Sequence, residues 1–239
     1  MNMPRPADSY NYPVYLGTEE WARLQTYDER LAACRVPEYI LKEMSTQAVI
    51  QALLESPLFP GLFLSYSSSI YRIGVDRILS EKINPYNELK TRSDAGKCLL
   101  GRVLLFDYAT QDWPMLCISN MEICFAQDIF LNQLSETETK TAISITLHHD
   151  SIEYDTKSSD RISSWILIFN ILKSVQYSPF MEYLNQYEDL EYFEDGIELA
   201  FKDIRFEGDG RYPYVVSTVY EHAKEYIKKT NTGIPKVSL

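Results

Sequence analysis

Histidine is scarce in this chain, with three residues among 239. General-base catalysis and transition-metal ligation both lean on imidazole, so those chemistries have few places to sit. No Gly-x-Ser-x-Gly elbow occurs, which removes the nucleophile turn of the α/β-hydrolases. Gly208 and Gly210 stand without a third glycine or a following Lys-Ser/Thr, so no phosphate-cradling loop is present. Asp203 to Asp209 lacks the alternating oxygen ligands of a calcium loop. Cys34, Cys98, Cys117 and Cys124 contain no Cys-x-x-Cys pair, and metal-ligand spacing is absent. Cys34, Cys98 and Cys124 lie in apolar stretches, where a free thiol packs as a small hydrophobe. Their even number leaves disulfides open in an oxidising compartment.

Positive charge is also short. Lys and Arg number 23 against 34 Asp and Glu, a net charge of −11. Nucleic-acid binding needs clustered cations to displace counterions from phosphates. No window is basic enough, and a nucleic-acid partner is excluded. No apolar run approaches the roughly 20 residues of a membrane-spanning helix; Trp165 to Leu172 is interrupted by Asn170. The opening Met1-Asn2-Met3-Pro4-Arg5-Pro6 has no apolar h-region. No secretory leader is therefore expected, and a cytoplasmic location is the default.

Aromatic residues and acids are abundant instead. Eighteen Tyr and ten Phe exceed what a minimal core needs, and tyrosine combines an apolar ring with a wet hydroxyl suited to contact surfaces. Between Glu182 and Asp209 ten acidic residues face only Lys202 and Arg205. Such a stretch reads first as a solvated acidic face and second as a site for a cation or a basic partner.

Helix signals dominate from residue 18 onward. Pro4, Pro6 and Pro13 make residues 1–17 an extended arm, with Tyr10, Tyr12 and Tyr15 as candidate anchors. Thr18 precedes Glu19 and Glu20, acids that a helix amino terminus favours. Thr26 with Glu29, and Ser135 with Glu138, have the capping-box spacing. Pro37 suits a first helical position. Ser45 caps a segment whose Val49, Ile50, Leu53 and Leu54 recur at helical period. A further helix is expected from about Ser69 through Ile78. Asn84-Pro85 reads as cap plus first turn, and Ser93 as the cap of a helix burying Ala95, Cys98, Leu99 and Phe106. Ile118, Met121, Phe125 and Ile129 share one helical face. Ala142 to Leu147 alternates like a strand but follows a capping box, and a helix is expected. Trp165 to Leu172 is apolar nearly all round, as a central core helix should be, and Asn170 then needs a partner. Pro179 opens another segment. Ile204–Glu207 and Tyr212–Val216 form a small hairpin across Gly208-Asp209-Gly210, before a last helix from Val216 to Lys229.

The expected fold class is all-α. It is a multi-helix bundle or a short α-solenoid-like array of helical pairs, with the small β-hairpin near the carboxyl terminus. Residues 18–239 form a single helical domain behind the arm. Three segments echo one another: Leu41 to Ser45, Leu89 to Ser93 and Leu131 to Ser135 are each a helix end, a serine and a new helix. The serines are 48 and 42 positions apart, close to the period of HEAT and armadillo arrays.

Ser9 to Trp21 with its Tyr-Pro arm and Glu20-Trp21 pair, Ala33-Cys34-Arg35-Val36-Pro37-Glu38, and Leu41 to Ser45 carry a resemblance. Over about the first 60 residues, with an echo at Phe125 to Ser135, the chain resembles an uncharacterised family of helical, often exported or lipid-anchored proteins of gut-type bacteria. The resemblance implies a string of helices and an exported or cell-envelope location. It supplies no catalytic residues.

The sharpest candidate for chemistry is His148-His149-Asp150 followed by Glu153. On a helix His149 and Glu153 stand four apart, a spacing from which two side chains can share a metal. The His149-Asp150 pair is also similar to that of helical metal-dependent phosphohydrolases, which need an upstream histidine that this chain lacks; His222 lies far downstream. A surface histidine pair is the plainer reading. The Glu194-Asp195 pair, usable for acid–base work on a sugar, is one of many acid pairs. No cofactor is expected. Two functions follow: a non-enzymatic binding module presenting an acidic, Tyr-rich surface to a protein or peptide, or a metal-dependent hydrolase built on His148, His149 and Asp150.

Overall fold

A computed structural model describes residues 5–60, 75–105, 115–156, 162–186 and 211–229. Among them are helices and no strands. The chain divides into two compact units, residues 1–134 and 135–239, a boundary that the sequence pattern did not mark within residues 18–239.

The first unit runs α1 (Glu19–Arg23), α2 (Tyr27–Ala33), α3 (Glu38–Glu43), α4 (Thr46–Glu55), α5 (Val75–Lys82), α6 (Asn84–Lys90), α7 (Ala95–Leu104), α8 (Met115–Phe125) and α9 (Asp128–Leu131). Local chemistry starts many of them. The Thr18 hydroxyl accepts the Trp21 N–H, and Thr26 with Glu29 closes the full capping box. The Ser45 hydroxyl accepts the Ala48 N–H. Pro37 and Asn84 are each displaced by one position: Pro37 is the cap of α3, and Asn84 is the first residue of α6 with Ile83 as cap.

Helix α4 is the axis of this unit. Its Thr46 and every residue from Ala48 to Leu54 are buried, and it packs on α6 and α7. Ala48 and Ala52 let those neighbours approach while Val49, Ile50, Leu53 and Leu54 fill the space between. The amino-terminal arm covers α4. Tyr12, 3% exposed, donates its hydroxyl to the Ala52 carbonyl at 2.9 Å and meets Tyr10 edge-on. Tyr15 stays exposed, so Tyr12 is the anchor. Asp8 accepts the Ser45 N–H at 2.6 Å, which holds its carboxyl below the usual range, and also accepts the Ser45 hydroxyl. The arm thereby satisfies a helix-start donor that α4 alone leaves open.

Side chains from later helix ends stitch onto earlier ones. Asn84 accepts the Val36 N–H at 3.1 Å and donates to the Val36 carbonyl at 2.6 Å. Arg92 donates to the Leu41 and Lys42 carbonyls at the end of α3. Gln133 in turn donates to the Arg92 carbonyl at 3.1 Å and accepts the Gly96 N–H at 2.8 Å. Thr46 donates to Asp94 at 2.7 Å, joining the starts of α4 and α7.

Two readings of this region are corrected. Ser93 is not the cap of α7: Asp94 is, without a side-chain cap bond, because its carboxylate is taken by Thr46 and the Cys98 thiol. Ile129 does not share a helix with Phe125. The helix breaks at Ala126-Gln127 and restarts as α9, leaving Ile129 exposed while Met121 and Phe125 are buried. Residues 69–74 and Phe106 lie outside the described residues, as does the side chain of Ile118.

The second unit comprises α10 (Glu136–Thr156), α11 (Ile162–Ser174), α12 (Ser178–Asn185) and α13 (Arg211–Lys229). Ser135 and Glu138 make the expected reciprocal cap of α10. The segment 142–147 is helical. Buried Thr139, Ala142, Ile143, Thr146 and His149 recur at three and four, a period that overrides the local alternation. The Thr146 hydroxyl is absorbed by the Ala142 carbonyl at 2.8 Å. Helix α11 packs on α10, α12 and α13 and is buried from Ser163 to Leu172, as a helix apolar nearly all round demands. Trp165, Phe169 and Phe180 form a chain of rings at 5.4 and 5.3 Å.

The hairpin is also corrected in its second arm, since Tyr212–Val216 belongs to α13; its first arm lies outside the described residues. Pro213 falls in the first turn of α13, where a missing N–H costs nothing. One backbone feature had no sequence signal. Gln176 has φ +50°, left-handed for a residue that is not glycine. It closes α11 with Tyr177 N–H to Leu172 O and Gln176 N–H to Lys173 O, the Schellman pattern, and delivers Tyr177 to the start of α12.

Candidate functional site

Successive positions on an α-helix point about 100° apart, and that geometry separates the two adjacent histidines of α10. His149 lies on the buried stripe, 1% exposed, whereas His148 faces solvent. Their ring centroids are 6.5 Å apart with planes tilted by 43°. The side chains of Asp150 and Glu153 lie outside the described residues. Among the described residues no three of His, Cys, Asp or Glu gather as a metal site.

The third histidine has the more unusual surroundings. His222 on α13 meets Tyr177, Phe180 and Tyr183 at centroid distances of 6.2, 5.7 and 5.7 Å. Lys229 sits 5.5 Å over the Tyr177 ring, and Tyr226 meets that ring edge-on. Neither the Tyr177 hydroxyl nor His222 Nδ1 has a hydrogen-bond partner among the described residues. Burial in this nest lowers the His222 pKa; Glu225 and Glu221 oppose the shift, and Lys229 adds to it.

This shift predicts a pH dependence. The folded-state value lies below the unfolded one, near 6.5, so the unfolded chain takes up the proton first as pH falls. The stability due to neutral His222 is complete above pH 6.5 and is lost as pH drops towards the folded value. Thermal midpoints of wild type and His222→Phe are compared between pH 7.5 and 5. The variant should lose less on acidification, and equal losses would show that His222 is not the titrating group.

Among the described residues, the exposed large aromatic side chains lie in the first unit. Tyr39 of α3 is 71% exposed, and Tyr15, Leu16 and Tyr27 are also exposed. Tyr39 adjoins Glu38, and Tyr27 adjoins Asp28 while holding Lys82 5.0 Å over its ring. Such rings lose little rotamer freedom on contact and bury much area. Their large exposed area was not singled out by spacing, because nothing local distinguishes a surface tyrosine from a core one. The acidic stretch from 187 to 209 lies outside the described residues.

Among the described residues the cysteines form no activated thiol. Cys34, Cys98 and Cys124 are free, and burial raises the thiol pKa values of the first two to about 11. A thiol held protonated is a poor nucleophile. The side chain of Cys117 lies outside the described residues. Among the described residues no helix is long and apolar enough to cross a membrane. No family model matches the chain, and neither a curated protein nor a solved structure matches it.

Proposed function

We propose that this protein is a non-enzymatic binding module, a short array of stacked helical pairs that holds a protein or peptide on an acidic, tyrosine-bearing surface. The observation that carries the reading is the stitching of helix ends. Arg92 reaches back to the end of α3, and Gln133 reaches back to Arg92. These contacts recur at separations of 51 and 41 positions, and the Asn84–Val36 and Thr46–Asp94 bonds both span 48. That recurrence supports a repeated helix–cap–helix unit, because stacked repeats contact neighbours at a near-constant sequence offset. Arrays of this kind bind along an extended face rather than in a deep pocket. We place the chain, on its opening 60 residues, with the helical bacterial family that it resembles.

Tyr39 and Tyr27 are the anchors in this reading. A net charge of −11 selects a partner segment rich in Lys and Arg, with association that slows as salt rises. The test is selection from a displayed random-peptide library on the immobilised full chain, followed by affinity measurement. Enriched peptides should be basic, and Tyr39→Ala should weaken them about 30-fold, the effect of a central anchor of ~2 kcal/mol. A library yielding no enriched sequence, or peptides bound as tightly by Tyr39→Ala and by a Tyr27→Ala, Tyr39→Ala double variant as by wild type, would overturn the reading.

A further inference from the structure

Arg102 is a buried arginine with open donor atoms. It lies near the end of α7 and is 2% exposed. Its Nε and Nη2 atoms are buried and have no hydrogen-bond partner among the described residues. Buried guanidinium groups are ordinarily paired, because an uncompensated charge in a low-dielectric interior is costly. Glu55, at the end of α4, acts on Arg102 electrostatically, while burial weighs against the charged form.

That carboxylate is already committed. Glu55 Oε1 accepts from Arg5 Nε at 3.1 Å and from Gln51 Nε2 at 2.7 Å, and Oε2 accepts from Arg5 Nη2 at 3.1 Å. The amino-terminal arm therefore engages both oxygens of the acid that acts on Arg102 among the described residues. Among the described residues two guanidinium groups share this one carboxylate. A further buried acceptor on the α4 side, Gln51 Oε1, also has no hydrogen-bond partner among the described residues. Polar atoms left open in this way mark places where a native structure needs something more.

We propose that Arg102 anchors a binding site for a small oxyanion, a carboxylate or phosphate group, in the first unit. The planar donor edge of Nε and Nη2 matches two oxygens of either group. The Arg5–Glu55 pair beside it is partly exposed, its side chains at 39% and 19%. Glu55 has two effects in this arrangement. Held by Arg5, it leaves Arg102 open; as a carboxylate beside the site, it repels the incoming anion. This site is independent of the aromatic surface of the proposed binding module, so either can fail alone.

The experiment follows thermal unfolding of the full chain in inorganic phosphate, and separately in acetate, against sodium chloride at matched ionic strength. Wild type should show a saturable rise in midpoint with at least one of the two anions. The two arms distinguish phosphate from carboxylate. Arg102→Met should lose the rise, and Arg102→Lys should bind about tenfold more weakly, since it keeps the charge but not the fork. Glu55→Gln should bind more tightly than wild type. An equal rise in wild type and Arg102→Met is general salt stabilisation and overturns the proposal, as does no rise in wild type. If Arg102→Met does not fold, calorimetric titration of phosphate and acetate into wild type and Glu55→Gln decides. Weaker or equal binding by Glu55→Gln to the anion that stabilises wild type overturns it.

Discussion

Gly96→Ala is expected to destabilise the first unit by about 3 kcal/mol, while Gly101→Ala, one and a half turns along the same helix, stabilises it by about 0.5–1 kcal/mol. The two glycines differ in what a methyl group would meet. At Gly96 an added Cβ would drive into the carbonyl oxygen of Phe130 and lie 3.1 Å from Gln133 Cβ. The obstacle is backbone, so the first turn of α7 has to move away from α9. Moving it also strains the bond from the Gly96 N–H to Gln133 and with it the Gln133 bond to Arg92. Overpacking of this kind costs 1–3 kcal/mol or more, and the rigid neighbour puts this case at the upper end. At Gly101 an added Cβ meets nothing within 4 Å, and only the gain in helix propensity remains. Urea unfolding of both variants provides the check. Opposite signs are required, and a neutral Gly96→Ala would mean that α7 and α9 do not approach as described.

Trp165→Ala should cost the second unit about 3–5 kcal/mol, the range for deleting a buried large aromatic side chain. Trp165 is 0% exposed in the first turn of α11, and its ring begins the chain through Phe169 to Phe180. Truncation opens a void that three neighbouring helices cannot close without shifting. Near-ultraviolet circular dichroism and the denaturation midpoint should both change. By contrast Trp21→Ala should change the midpoint little, since Trp21 is only half-buried on a short helix with Arg30 5.6 Å over its ring. If the two substitutions cost the same, α11 is not the core of its unit.

The elements whose signals lie within four residues were legible in the sequence. Thr18, Thr26 with Glu29, Ser45 and Ser135 with Glu138 all start helices as their spacing predicts, because a cap is a bond from a residue to its own third neighbour. Ser93 misled for a physical reason. The next residue, Asp94, is an equally good cap, and its carboxylate goes to Thr46, 48 positions away. The strand-like pattern at 142–147 was resolved only by residues outside it, Thr139 and His149, which extend the buried stripe to helical period. Asn84, Arg92 and Gln133 gave no signal, since the carbonyls they serve belong to distant helix ends. Arg102 was equally silent, because an arginine in an apolar helix reads as a solvated charge until its burial is known. For the candidate histidine cluster, the sequence put His148 and His149 side by side, and the helix turned them in different directions.

The arm adds a constraint of timing. Arg5, Asp8 and Tyr12 leave the ribosome before anything they bind: their partners Glu55, Ser45 and Ala52 follow 50, 37 and 40 positions later. Domains fold as units during synthesis, so this segment cannot settle until α4 has emerged and cleared the exit tunnel. Until then the Tyr12 ring travels unprotected, and the amino end of α4, once made, waits for Asp8 to complete its cap. A segment translated ahead of α4 thus fastens only after the central helix of its unit exists. A bulky group joined ahead of Arg5 would be carried through that closing step each time a molecule is made.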